Sequence, residues 1–107
     1  MVAAMAEMVL SVFPGRILWV SYPMLNCPAG DANCPASMNG LIQSVNRMVR
    51  DGVKKALERS SSSRMAYVNL APLQLESLRE YSDVVHHPGP LSEKIVRLLA
   101  RVLNSLR

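Results

Sequence analysis

Aromatic and charged residues are both scarce in this sequence. Phe, Trp and Tyr make up 5% of its 107 residues, and Asp, Glu, Lys and Arg together 19%. The single tryptophan, Trp19, and the single phenylalanine, Phe13, lie inside apolar runs, so there is no aromatic platform on which nucleobases would stack. With half of the residues hydrophobic, the chain is also too apolar for a disordered segment. The net charge of +4 is scattered: Arg47, Arg50, Lys54, Lys55 and Arg59 share a stretch with Asp51 and Glu58. That pattern reads as solvated helix faces and not as a nucleic-acid footprint. Long apolar runs are lacking too. The N-terminal stretch "MVAAMAEMVLSVF" has no basic residue ahead of it, carries Glu7, and is stopped by Pro14-Gly15. These features argue against a secretory signal and against a membrane span, and suggest that the chain begins inside a structural element. The length leaves room for one core, no internal repeat is evident, and no cofactor is expected.

There are only two cysteines, Cys27 and Cys34, in the loop-like run "NCPAGDANCP". Six intervening residues can close a small disulfide loop in an oxidising compartment, which would point to an extracytoplasmic parent; free thiols are the alternative. A zinc site built from both cysteines with His86 and His87 fits no compact finger spacing, so no metal is expected.

Periodicity divides the chain into alternating helices and strands. Residues 2–13 read as a nearly all-apolar helix whose one wet stripe is Glu7 and Ser11. "RILWVSY", 16–22, is an apolar run without alternation, as in a strand covered on both faces. After the loop 24–36, Ser37 is a plausible N-cap for a helix to about residue 59, with Met38, Leu41, Ile42, Val45, Val49 and Val53 at helical spacing. Gly52 weakens this helix locally without ending the pattern. "MAYVNL", 65–70, predicts a second strand, 71–82 one or two helical turns, and 92–105 a final amphipathic helix. The order α-β-α-β-α implies parallel strands joined by helical crossovers. Two such strands leave open edges, so the expected architecture is an incomplete α/β sandwich or one completed by another chain.

The chemistry-bearing stretch is "YSDVVHHPGP", 81–90. An aspartate three residues before a histidine in a turn can accept a hydrogen bond from the imidazole Nδ1–H, fixing the tautomer and leaving Nε2 free to take a proton. Asp83 and His86 have that spacing. Asp-x-x-His is common by chance, so from the residues alone the favoured reading is a polar turn capped by Asp83 with two ordinary surface histidines.

Four pieces in order, "FPGRILWVSYPML", "LIQSVNRMVRDGVKKAL", "RMAYVNLAPL" and "YSDVVHHPGPLSEKIVRLLARVL", resemble the C-terminal half of SGNH (GDSL-type) esterases and lipases, over nearly the whole chain. The resemblance implies a partial three-layer α/β sandwich, flavodoxin-like, as one incomplete domain over 1–107 whose N-terminal half is missing. It implies that Asp83 and His86 are the orienting acid and the base of a serine triad. His87 is the alternative base, because the family block places His directly before Pro; His86 is favoured because the bond to Asp83 needs the three-residue reach. The family's serine, in Gly-Asp-Ser, has no counterpart: Gly30-Asp31 is followed by Ala32. Its oxyanion Gly and Asn are absent too, since "MNG" at 38–40 lies at a helix start. Asn69 stands where the family strand often carries Asp. The expectation is therefore a C-terminal portion of a carboxylic ester hydrolase, inactive alone, whose assembled form would act on a lipid or carbohydrate ester. The competing expectation is a non-catalytic interaction module that self-associates or pairs with a second chain.

Overall fold

The computed structural model describes residues 1–107. Helix α1 (Val2–Val12) leads into strand β1 (Ile17–Val20), the long helix α2 (Met38–Ser60) and strand β2 (Met65–Val68). The short helix α3 (Ala71–Glu76), a 3-10 turn (Leu78–Glu80) and helix α4 (Gly89–Ser105) follow. The two strands pair in parallel, Ile17 with Met65, Leu18 with Ala66, Trp19 with Tyr67 and Val20 with Val68. This is a small α/β protein with four α-helices around a two-stranded sheet.

Alternation along the strands sorts side chains to two cores. Ile17, Trp19, Met65 and Tyr67 pack with Ala6, Leu10, Val53 and Ala56, which seats α1 and α2 on one face. Leu18 and Val68 pack with Tyr81, Leu91 and Ile95, which seats α4 on the other. A strand covered on both faces has no use for polar alternation, which is why "ILWV" and "MAYV" read as continuous apolar runs.

Two features lock α1 in place. Gly52 of α2 lies against the start of α1, where a Cβ would come within 2.5 Å of the Val2 Cβ. The expected local weakness of α2 at this glycine is thus the condition for a close helix crossing. At the other end of α1, the Arg64 guanidinium donates to the carbonyl oxygens of Leu10 (2.6 Å), Phe13 (2.8 Å) and Gly15 (2.7 Å). It thereby satisfies acceptors that a helix C-terminus leaves unpaired.

Several expectations are corrected. Strand β1 ends at Val20 and not at residue 22: Ser21 still donates its N–H to the Val68 carbonyl, but Tyr22 has left the ladder for Asn46. Helix α4 begins at Gly89, before Ser92, because Pro90 lacks the N–H that a first turn would leave unpaired anyway. Ser37 occupies the N-cap position of α2, yet its side chain makes no capping bond. The wet stripe of α1 is also displaced: Glu7 faces Arg59 of α2 in an ion pair at 3.3 Å, while Met5, Met8 and Val12 are exposed.

Candidate active site

The three buried polar side chains of the molecule, Ser21, Asn46 and Gln74, all bind backbone in the loops that follow the carboxyl ends of the strands. Ser21 Oγ accepts the Leu70 N–H at 2.9 Å. Asn46 brackets Tyr22, accepting its N–H at 2.8 Å and donating to its carbonyl at 3.1 Å. Asn39, seven residues earlier on α2, holds Leu25 in the same two-bond manner at 2.7 and 2.8 Å. Side-chain amides thus stand in for the strand partner that residues 22–25 lack. Beyond them Cys27 and Cys34 are joined by a disulfide, with Cα atoms 5.3 Å apart. Gly30, at φ +80, makes the turn inside that ring.

The Asp83 turn is built onto this frame. The buried Tyr81 anchors its start, and the Asn26 N–H donates to the Val84 carbonyl at 2.9 Å, tying it to the loop after β1. Asp83 Oδ1 accepts the N–H groups of Val85 and His86, both at 2.9 Å. Its Oδ2 lies 2.5 Å from His86 Nδ1. The two backbone donors, and then the His86 imidazole, hold the Asp83 carboxyl down at about 2, below the usual carboxylate range. With the carboxylate accepting from Nδ1–H, the neutral form of the His86 ring has its lone pair on Nε2, which makes no hydrogen bond. Both side chains are open to solvent, 54% exposed for Asp83 and 72% for His86.

His87 points elsewhere. Gln74 Oε1 accepts the Met24 N–H at 3.1 Å, so its amide nitrogen faces His87 Nε2, also at 3.1 Å. An amide nitrogen only donates, so His87 Nε2 is the acceptor and the ring proton sits on Nδ1. The ring also meets Tyr81 edge-on, centroids 5.1 Å apart. His87 therefore joins α3 to α4's leading turn, while the free imidazole nitrogen belongs to His86.

No serine hydroxyl hydrogen-bonds His86, and the pair lies outside the three principal clefts of the molecule. No group of three or more His, Cys, Asp or Glu side chains is placed to hold a metal ion. Sequence reasoning missed Gln74, Asn46 and Asn39. The available signal was an amide residue set among apolar neighbours, as in Leu73-Gln74-Leu75.

Comparisons with protein families, with curated proteins and with solved structures find no match to this chain.

Proposed function

We propose that this chain supplies the acid–base end of a serine ester hydrolase of the SGNH type, folded as the C-terminal part of that family's three-layer sandwich. The observation that carries the reading is the Asp83 Oδ2 to His86 Nδ1 hydrogen bond, in a turn that also leaves Nε2 uncommitted. In the assembled enzyme Nε2 takes the proton of a serine hydroxyl as its oxygen attacks the ester carbonyl. It then returns that proton to the leaving alcohol, giving an acyl-enzyme that water hydrolyses by the same route. Asp83 keeps the imidazole in the required tautomer and stabilises the imidazolium. The serine and the oxyanion donors come from residues outside these 107, in a longer polypeptide or a second chain. The substrate is an ester of lipid or carbohydrate type.

The test is hydrolysis of p-nitrophenyl acetate by the chain alone and mixed with a polypeptide carrying a Gly-Asp-Ser block. The chain alone should not exceed the buffer rate, and the mixture should. In the mixture His86→Ala should lose turnover by orders of magnitude, up to about a millionfold for a triad member, while His87→Ala keeps it if folded by circular dichroism. Activity that survives His86→Ala overturns the assignment.

A non-catalytic interaction module is the second reading, favoured by the exposed Met5, Met8, Val12 and Phe13 and by the open edges of a two-stranded sheet. A mixture that forms a stable complex without hydrolysis supports it over the enzyme.

A further inference from the structure

A cleft of about 460 Å³ opens beside the carboxyl end of β2, away from the Asp83 turn. Gln43, Asn46, Arg47 and Arg50 of α2 line it at spacings of three, four and seven residues, so they form one polar stripe on one face of that helix. Tyr67 and Asn69 from the end of β2 complete the polar wall, and Pro72 and Leu75 from α3 make an apolar one.

None of the lining residues is acidic. Arg47 forms no ion pair; its guanidinium donates only to the Ser44 hydroxyl, at 3.2 Å. Arg50 meets the Oδ1 of the exposed Asp51 through Nε and one terminal nitrogen, at 3.2 Å each, which leaves the other N–H groups of its fork uncommitted. The Tyr67 hydroxyl is buried and makes no hydrogen bond of good geometry, although the Ser21 hydroxyl stands close enough to interact with it. The Tyr67 phenol is pushed up by burial, and the Arg50 guanidinium and then the Ser21 hydroxyl oppose that shift, which puts the Arg50 charge near the Tyr67 hydroxyl. A buried hydroxyl without a well-formed hydrogen bond is uncommon in folded proteins, and an Arg47 fork without a carboxylate, beside an Arg50 fork only partly engaged by Asp51, leaves a surplus of donors at the same cleft.

From this convergence we propose that the cleft is a binding site for a small organic phosphate monoester, with Arg47 and Arg50 on the phosphate oxygens, the Tyr67 hydroxyl as a further donor, and the organic group against Pro72 and Leu75. Phosphate fits better than carboxylate because it offers three terminal oxygens to two forks and a hydroxyl. The apolar wall distinguishes a monoester from the free ion. The volume lies within the range of small-molecule pockets, and ligands of open parallel sheets sit outside the carboxyl ends of the strands.

The test is a titration of the full chain with phenyl phosphate, followed by amide chemical shifts. Saturable shifts confined to residues around Arg47, Tyr67 and Asn69, with a dissociation constant of about 1 mM or tighter, are expected. Inorganic phosphate should bind about tenfold more weakly, and phenol should not bind. Arg47→Gln should weaken phenyl phosphate by about tenfold or more, and Arg101→Gln, on the exposed face of α4, should not. Tyr67→Phe should weaken it less while preserving the fold. The proposal is overturned if shifts do not saturate, if Arg47→Gln and Arg101→Gln weaken binding equally, or if inorganic phosphate binds as well as the monoester.

Discussion

Asp83 has its carboxyl held below the ordinary pKa by the backbone of its own turn. Its carboxylate has three donors, and the causes of its lowered pKa rank as the Val85 N–H, the His86 N–H and then the His86 imidazole. Because the folded value, about 2, lies below the ordinary 3.8, the order this group lends its turn is fully present above 3.8 and is lost as pH falls through about 2. The carboxyl is exposed, so solvent screens the pair and its contribution is to local order and imidazole orientation more than to global stability. A carboxyl-carbon NMR titration should find a midpoint near 2, with the Val85 and His86 amide shifts moving in step. In His86→Ala the midpoint should rise only partway to 3.8, since the Val85 donor and the residue-86 N–H remain. A full return to the ordinary value in that variant would mean the imidazole, and not the backbone, holds the carboxylate.

Among the elements, α1 and α2 are joined at Gly52, and substitution there sets two effects against each other. Alanine in a helix interior gains about 1 kcal/mol over glycine. The added Cβ, however, would stand 2.5 Å from both Val2 Cβ and Val2 Cγ1, with the Ala3 backbone nitrogen at 3.2 Å behind them. Neither Val2 atom is the end of a flexible side chain, so the helix as a whole must shift, and overpacking of this kind costs about 1–3 kcal/mol. Gly52→Ala is therefore expected to lower Tm by several degrees, and to cost less in a Val2→Gly background. A rise in Tm would show that α1 does not pack closely at this point. The same junction shows what the sequence carries and what it conceals. The apolar repeats Met38, Leu41, Ile42, Val45 and Ile95, Leu98, Leu99, Val102 declare their helices because period follows from geometry alone. The Asp83–His86 contact is also readable, since three residues of turn determine its reach. Gly52 as a crossing point, Arg64 as a C-terminal clamp and Gln74 between Met24 and His87 are not readable. Each depends on a partner fifty or so positions away, or on which side of a helix is covered, and no local pattern encodes that. The same reason explains α1: its apolar residues predict burial everywhere outside the Glu7–Ser11 stripe, yet Met8 is 60% and Val12 66% exposed because nothing in these residues covers that side.

That uncovered side becomes quantitative for the whole molecule. A folded monomer of 11.8 kDa is expected to expose about 5900 Å², whereas this chain exposes 7021 Å². Its radius of gyration is 15.5 Å, against about 13 Å for a compact domain of this length. The surplus, about 1100 Å², exceeds the roughly 800 Å² that each partner contributes to a standard-size interface. Exposed and half-buried apolar residues are available for such a contact: Met5, Met8, Val12 and Phe13 on and just after α1, and Tyr22, Leu25, Leu41 and Val45 lining a groove of about 290 Å³ beside α2. A net charge of +4 is too small to keep such surfaces apart at physiological ionic strength. Both readings of function require this surface to be covered, by the remainder of a hydrolase or by another copy, so without a partner the chain should associate with itself. Sedimentation velocity over a concentration series is expected to show reversible association with a dissociation constant in the micromolar range, about 8 kcal/mol. Met8→Glu with Val12→Glu should weaken it while leaving the helical content unchanged, because both side chains already face solvent. Addition of a covering polypeptide should compete with it. A chain that stays monomeric at about 1 mM would show that this area is stable in water, and would remove the physical case for a partner.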